Sequence, residues 1–422
     1  MRLERVEVGR DPSAAAAEVR ALAPPPDSVS DVVAGIVDAV RAGGDRALRE
    51  LVSRYDLGGA PPAESLIVGA DELAAVALDP DVRAGLQTAI TNVALVADAG
   101  AGEDVTVDLP QGHRVVLREV PVRRAAIYVP GGRAPYPSTV VMGVVTARAA
   151  GVEEVVVLTP PEIDPVILGA CALCGVSEVY AMGGAHGIAA LAFGTVEIER
   201  VDVIAGPGNL IVQEAKRQVS DAVGIDGFYG PSDVLALCDG SADARLVALD
   251  LLAQGEHGPG APVVAVSDDL ALLDAIADEI ERLAPERPAS DPAAFVLAHA
   301  ASLDAALAFA DAFSPEHLEL VGPAAEGLAP RVRAAGCIFI GRAGATAFGD
   351  YVAGSNHCLP TGGAARFASG LSPRHFRRRV SEVYVGDAAP ALAAAGAPIA
   401  RAEGFAVHAE SMEARVGENP PS

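Results

Sequence analysis

The sequence is poor in aromatic residues and contains no long apolar run. None of its 422 residues is tryptophan, and all aromatic residues together make up 4% of the chain. Its cores must therefore be built from Ala, Val, Leu and Ile. No apolar stretch reaches the roughly 20 uninterrupted residues of a membrane span, and the opening segment MRLERVEVGRDPS has no signal-peptide pattern. We therefore expect a soluble, cytoplasmic protein that does not enter a membrane.

Cysteine is also scarce, and its placement excludes a disulfide framework. The five cysteines are odd in number and scattered along the chain. Cys171 and Cys174 form a C-x-x-C pair, but the pair lies in the apolar segment ILGACALCGV, with no charged neighbour and no second pair. We interpret both as core residues of a helix rather than as a zinc or redox site.

Positive charge is in short supply. Lys and Arg number 31 against 56 Asp and Glu, which gives a formal net charge of −25. Nucleic acid is therefore excluded as a partner, because such affinity comes mainly from basic side chains at phosphates. An anionic cofactor is still compatible with this charge, since helix N-termini and single basic residues act locally.

The alternation of strand-like and helix-like segments predicts an α/β fold with two Rossmann-like parallel-sheet domains, a small helical N-terminal segment and a C-terminal arm. Short β-branched runs such as AAIYV and EEVVVL alternate with apolar helical segments, and a second series begins with DVLALC and PVVAVS. Residues 105–122 alternate like a β-hairpin. The predicted parts are a mainly helical region 1–122 that packs with the second domain, a first α/β domain 123–232, a second α/β domain 233–370, and an Ala-rich helical arm 371–422.

Three glycine-rich loops follow predicted strands of the first series. They are YVPGGRAPYPST (128–139), MGGAHGIAA (182–190) and AGPGNLIV (205–212). The carboxyl ends of parallel strands are where open α/β sheets bind ligands, and such loops present helix N-termini to anions. No G-x-G-x-x-G occurs, so the loops indicate a nucleotide or phosphate ligand without the usual dinucleotide fingerprint.

The polar residues of the second series are candidates for catalysis. In DLLAQGEHGP, Gln254 and His257 lie three residues apart, on one face of a helix. They are either a polar last turn near the negative end of the helix dipole or two metal ligands. With Asp350 and His408 they would offer two nitrogen and two oxygen donors, a set that suits Zn²⁺. Glu316 lies in the segment SPEHLEL.

Taken together, these segments closely resemble the histidinol dehydrogenase family. The matching stretches are YVPGG…YPSTVVM, GGAHGIAALAFGT, GPGN…AKR, GPSD, DLLAQGEHGP, SPEHLEL, GDYVAGSNHCLPTGG, ARFASGLS and EGFAVHA, in the family's order over residues 120–410. The resemblance implies a homodimeric, NAD-dependent enzyme with one Zn²⁺ per subunit. It also implies the reaction, a four-electron oxidation of L-histidinol through L-histidinaldehyde to L-histidine, the last step of histidine biosynthesis.

The resemblance also assigns residues. His317 would be the base that takes the hydroxyl proton, and Glu316 would activate water for the second oxidation. The implied zinc ligands are Gln254, His257, Asp350 and His408, the last reaching the site from a swapped arm. The implied NAD contacts are Tyr128, His186 and Asn209. The implied substrate contacts are Ser232, Gln254, His257, Glu316, His317, Asp350, Glu403 and His408.

Some positions depart from the family pattern. His186 stands where a glutamine usually contacts NAD, GPSD replaces the commoner GPSE, GSNH replaces GPNH, and the bulky Phe228 and Tyr229 precede Ser232. The alternative hypothesis is therefore a paralogous zinc- and NAD-dependent dehydrogenase of another small polar alcohol or diol. Two readings from other classes are a zinc hydrolase, which leaves the glycine loops unexplained, and a catalytically silent metal-binding scaffold.

Overall fold

The computed structural model describes residues 2–22, 29–131, 134–227, 232–258, 262–290 and 293–416. Phe228 and Tyr229, and two residues of the first glycine loop, lie outside these ranges. The chain divides into two compact units. Unit 1 comprises Met1–Gly100 and Arg123–Phe376, and unit 2 comprises Ala101–Val122 and Arg377–Ser422.

Strands and helices alternate through most of unit 1, while the strands β3, β4 and β15 and the helices α14 and α15 given below belong to unit 2. The strands are β1 (Arg2–Glu7), β2 (Ile67–Gly69), β3 (Val105–Asp108), β4 (Arg114–Pro121), β5 (Arg124–Tyr128), β6 (Glu154–Thr159), β7 (Glu178–Ala181), β8 (Val203–Ala205), β9 (Gly224–Ile225), β10 (Val234–Cys238), β11 (Pro262–Ser267), β12 (Ala294–His299), β13 (His317–Val321), β14 (Cys337–Ile340) and β15 (Arg377–Tyr384). The helices are α1 (Pro12–Arg20), α2 (Ser30–Leu51), α3 (Ala70–Ala74), α4 (Pro80–Gly100), α5 (Pro137–Ala149), α6 (Pro165–Leu173), α7 (Gly184–Phe193), α8 (Leu210–Val219), α9 (Ala244–Gly255), α10 (Leu270–Leu283), α11 (Leu303–Phe313), α12 (Pro323–Glu326), α13 (Thr346–Tyr351), α14 (Ala389–Ala402) and α15 (Ala406–Glu413).

Unit 1 contains two six-stranded sheets, which confirms the predicted α/β class with parallel-sheet domains. Sheet 1 has the order β2-β7-β6-β5-β8-β9 and is parallel except for β2. Sheet 2 has the order β1-β12-β11-β10-β13-β14 and is parallel throughout. Helices cover both faces of sheet 2: α1 and α11 contribute to one apolar cluster, and α9 and α10 to the other. Buried apolar strands on both faces are typical of parallel sheets.

The N-terminal region is divided between the two sheets, whereas the sequence analysis placed residues 1–122 with residues 233–370. β1 and α1 do join sheet 2. However, α2 packs on α7 and α8, and β2 is the edge strand of sheet 1. The buried face of α2 includes Val33, Ile36, Val37 and Val40. Such a stripe shows that one helix face is apolar, but it does not specify which sheet covers that face.

Unit 2 contains an antiparallel sheet of order β15-β4-β3 and the helices α14 and α15. The predicted hairpin over 105–122 is present as β3 and β4. The expectation of a helical arm is wrong for Arg377–Tyr384, which form a strand along the full length of β4. The segment reads RRRVSEVY, and its pairing with β4 decides its conformation.

Cys171 is fully buried in α6, as predicted, and Cys174 is the partly exposed residue that ends this helix. Both thiols are free, and burial raises the pKa of Cys174 to about 12 and that of Cys171 further. Thiols of this kind are unreactive at neutral pH. Within the described ranges, no helix has the length and apolarity to cross a bilayer.

Candidate active site

A cavity of about 400 Å³ lies in unit 1, between the loops that follow strands of sheet 1 and the residues that precede strands of sheet 2. Loops after β5 and β8 form one wall, so two of the predicted glycine loops do reach a site. The residues before β10 and β13 form another part of the lining. The polar lining includes Asn209, Ser232, His257, Glu316, His317, Asp350 and His357.

Parallel pairing of β10 with β13 brings the predicted catalytic pair next to the GPSD segment. Val234 lies opposite His317 in this register. The residue before each strand then makes a reciprocal contact: Asp233 N–H donates to Glu316 Oε2 at 3.1 Å, and Glu316 N–H donates to Asp233 Oδ1 at 2.8 Å. Asp233 is the residue by which GPSD departs from the commoner GPSE, and the sequence analysis gave it no role.

His317 is 2% exposed, and its contacts specify its tautomer. Its Nδ1 lies 3.2 Å from the backbone oxygen of Asp233. A carbonyl oxygen only accepts, so Nδ1 carries the hydrogen and Nε2 keeps its lone pair. Nε2 lies 3.7 Å from Asp350 Oδ1. A neutral imidazole with an unprotonated Nε2 is suited to act as a general base.

Burial shifts the pKa values of the two neighbours in opposite directions. Desolvation, helped by the charge of Asp233, raises the pKa of the Glu316 carboxyl well above its usual value. Desolvation lowers the pKa of His317, although Asp350 opposes this effect. Both shifts favour the neutral form. Perturbed neighbours of this kind in a cavity are typical of active sites.

Three of the four expected metal donors line a second, smaller cavity together. These donors are Gln254, His257 and Asp350. The Gln254 amide nitrogen donates to Ser232 Oγ at 2.7 Å, which leaves Oε1 as the donor atom for a metal. His257 Nδ1 lies 3.3 Å from the backbone oxygen of Gln254, which leaves Nε2 for the same purpose.

These three side chains fit a borderline divalent ion such as Zn²⁺ in donor chemistry. Only His257 and Asp350 belong to the commonest ligand types, and Gln254 does not. This agrees with the finding that no cluster of three or more His, Cys, Asp or Glu could hold a metal within the described ranges. The fourth expected ligand, His408, and the expected substrate contact Glu403 lie in unit 2. Within unit 1, the structure therefore brings together three of the four donors.

The expected cofactor residues fall into two groups. Asn209 is exposed on the wall of the cavity, and its side chain caps α8 by accepting from the N–H groups of Ile211 and Val212. Tyr128 and His186 are buried instead. His186 Nε2 lies 2.9 Å from Asp56 Oδ2, and His186 Nδ1 is buried without a partner in the described part of the chain. Asp56 was not anticipated from the sequence.

His357 also belongs to the site, although the sequence analysis gave it no role. Its Nδ1 lies 2.9 Å from the backbone oxygen of Asp350, and its Nε2 lies 3.2 Å from Thr139 Oγ1. It therefore connects the segment that carries Asp350 to the start of α5. Its presence in the polar stretch SNHCLP, next to Asp350 along the chain, was the available signal.

The fold and the site define an α/β protein in which a buried imidazole and a buried carboxyl group line a cavity beside glycine-rich loops, the arrangement of an enzyme active site. A comparison with family models identifies the particular family, since the model described as histidinol dehydrogenase matches residues 23–416. The chain belongs to the histidinol dehydrogenase family.

Individual relatives agree with this membership. The histidinol dehydrogenase of Gluconobacter oxydans is 40% identical over 93% of this chain and 94% of its own length. That of Thermus thermophilus is 41% identical over 92% of this chain and 95% of its own. The crystal structure of histidinol dehydrogenase from Elizabethkingia anophelis matches with a TM-score of 0.89 at 27% identity, covering 99% of this chain and 98% of that one.

Proposed function

We propose that the chain oxidises L-histidinol to L-histidine through L-histidinaldehyde, with two NAD consumed and with Zn²⁺ bound. The observation that carries the proposal is the Glu316–His317 pair, which lines one cavity together with Asn209. The family's relatives support the substrate, because they bear the name histidinol dehydrogenase. They give no support to the alternative, a dehydrogenase of another small alcohol or diol.

In the first oxidation, His317 takes the proton of the substrate hydroxyl at Nε2. Its Nδ1–H remains bound to the Asp233 carbonyl, so the ring does not need to turn when it becomes charged. NAD supplies the hydride acceptor in each oxidation. Tyr128, His186 and Asn209 are the residues we assign to NAD, and Asn209 is the one that the cavity exposes.

In the second oxidation, Glu316 takes a proton from the water that adds to the aldehyde carbon. The raised pKa of Glu316 makes its ionised carboxylate a stronger base than an ordinary glutamate. The Ser232 hydroxyl hydrogen-bonds Glu316 and also accepts from the Gln254 amide, so Ser232 links the carboxyl group to the metal donors.

The metal site would use Gln254 Oε1, His257 Nε2 and Asp350, completed by His408 of the partner subunit in a homodimer. Zn²⁺ bound there would orient the polar groups of the substrate against the base. We place Glu403 beside the substrate, contributed by the same arm. The absence of a spanning helix from the described residues and the biosynthetic relatives support activity in the cytoplasm.

The test is a stoichiometric assay with L-histidinol, NAD and zinc-loaded protein. We expect about two NADH per histidine formed, because the oxidation removes four electrons. His317→Asn should lower kcat by about 10²- to 10⁴-fold, the usual contribution of a general base. A panel of amino alcohols and diols run in parallel would contradict the proposal if another substrate had a higher kcat/KM. Hydrolysis without NADH formation would indicate the zinc hydrolase instead.

A further inference from the structure

Arg20 joins the two segments that carry the proposed catalytic groups. It is the last residue of α1. Its Nε and Nη2 donate to the backbone oxygen of Phe313 at 3.0 and 2.7 Å, and Nη2 also donates to that of Ser314 at 3.1 Å. Its Nη1 donates to Asp233 Oδ2 at 2.5 Å. One guanidinium therefore binds the end of α11 and the residue before β10.

The end of α11 needs such a partner. The last carbonyls of a helix have no intrahelical donor, and a cation there is also favoured by the helix dipole. Ser314 ends α11 in the left-handed conformation, with φ of 53°, which is unusual for a residue other than glycine. The guanidinium also lies 3.6 Å from the centroid of the Phe313 ring. Arg20 thus stabilises the turn from which the chain enters Glu316 and His317.

Asp233 connects Arg20 to the proposed catalytic pair, Glu316 and His317. It is completely buried, and its second carboxylate oxygen accepts from the Glu316 N–H. Its own N–H donates to the Glu316 carboxylate, and its carbonyl accepts from His317 Nδ1. The contacts of Asp233 with the Glu316 carboxylate and with His317 Nδ1 therefore depend on the position of Asp233.

We propose that Arg20 is a positioning residue of this active site: acting through Asp233 and the Phe313–Ser314 turn, it places the Glu316 carboxyl group and holds His317 in its Nδ1–H tautomer. The kinetic part of this inference rests on the proposed function. The structural part concerns the state of His317 and stands without any substrate.

The variants are Arg20→Met, Arg20→Lys and a matched control. Arg20→Met keeps the apolar stem over Phe313 but removes every donor. Arg20→Lys keeps one charge for Asp233, but an ammonium cannot replace the planar fork that bridges three acceptors. The control is Arg49→Met, since Arg49 also binds two backbone oxygens, of Ala63 and Glu64, and one carboxylate, of Glu197.

Steady-state kinetics should separate positioning from general stability. We expect Arg20→Met to lower kcat by about 10- to 100-fold, because small misplacement of reacting groups is costly, while KM for the alcohol changes little. Arg20→Lys should recover part of this loss. Arg49→Met should lose thermal stability without losing kcat.

The second readout is ¹⁵N NMR of protein labelled at histidine, with His317→Asn used to assign the His317 signals. In the wild type, Nδ1 of His317 should be protonated and Nε2 not; in Arg20→Met, this single tautomer should give way to a mixture. An unchanged tautomer in Arg20→Met, or a loss of kcat no larger than that of Arg49→Met, would overturn the proposal.

The two arms also distinguish this inference from the proposed function. If the wild-type protein does not oxidise histidinol, the proposed function fails while the NMR comparison still decides the role of Arg20. If Arg20→Met does not fold, Arg20→Lys is used in its place. The proposal then requires that Arg20→Lys has a lower kcat than the wild type and a mixture of His317 tautomers.

Discussion

Lys216 is the only lysine in the chain, and its side chain is completely buried. It forms an ion pair with Asp226, which is buried as completely. Lys216 Nζ also donates to the backbone oxygen of Gly206 at 3.0 Å, and Asp226 Oδ2 accepts from the Gly206 N–H at 2.6 Å. Gly206 itself lies close to the Tyr128 backbone, because a Cβ at this position would be only 2.3 Å from the Tyr128 carbonyl oxygen. The pair thus fixes the loop that leads to Asn209.

Removing Lys216 should be strongly destabilising. Burial raises the pKa of Asp226 and Lys216 opposes this shift, so the Lys216→Met variant leaves a buried carboxyl group without its positively charged partner. We expect a loss of about 3–5 kcal/mol in the free energy of unfolding, measured by urea denaturation. Lys216→Met/Asp226→Asn should regain part of that loss. Arg46→Met, which breaks an exposed pair, is the control. Wild-type stability in Lys216→Met would show that the pair does not stabilise the fold.

At the level of elements, the short helix α13 positions Asp350, and its start depends on a buried carboxyl group. Glu319 on β13 accepts hydrogen bonds at Oε1 from the Thr346 N–H at 3.0 Å and from the Thr346 hydroxyl at 2.7 Å. Its Oε2 is buried and has no partner among the residues that the structure describes. Burial, with the nearby Asp250, raises the pKa of Glu319 to about 8, and burial raises that of Asp250 to about 6.

These shifts predict a contribution to stability that falls as the pH rises. A carboxyl group whose pKa is raised by folding holds its proton in the folded state and has lost it in the unfolded state. The contribution of these two groups to stability is therefore greatest below the ordinary carboxyl pKa and decreases up to about pH 8. Glu319→Gln keeps an acceptor for Thr346 without a titrating group, so its thermal midpoint should fall less between about pH 5 and pH 8.

The control for this comparison is Glu153→Gln, a change at an exposed position. The thermal midpoints of the wild type, Glu319→Gln and Glu153→Gln are measured over the same pH series. Parallel curves for the wild type and Glu319→Gln would show that Glu319 is ionised throughout, contrary to the prediction.

At the level of the whole molecule, the proposed metal donors are divided between the two units. Gln254, His257 and Asp350 belong to unit 1 and His408 to unit 2. If His408 comes from the partner subunit, a dimer of one His257→Ala chain and one His408→Ala chain has one intact site. Random mixing makes half of the dimers mixed, so about a quarter of the wild-type activity should return.

This complementation is measured after unfolding and refolding the two inactive variants together. Mixing His257→Ala with Asp350→Ala is the matched control, because both changes affect the same side of the site and no intact site can form. Activity no higher in the first mixture than in the control would contradict a shared site.

Much of the fold could be predicted from the sequence because its signals are local. The alternation of buried strands and apolar helices gave the two parallel sheets, and the hairpin 105–122 was evident from its period. Gln254, His257 and Asp350 were proposed as metal donors from the family resemblance, and the structure places these three side chains around one cavity. For the sheets and the hairpin, the period of apolar residues within a short segment contained enough information.

Tertiary structure alone decided the rest, because it depends on contacts between segments that are distant in the chain. Arg20 and Asp233 are separated by 213 positions, and no local pattern connects them. Three other features depend in the same way on contacts between distant segments. They are the packing of α2 on sheet 1, the pairing of β15 with β4 and the tautomer of His317. Periodicity identifies an apolar face, and only packing selects its partner and removes water from the groups between them.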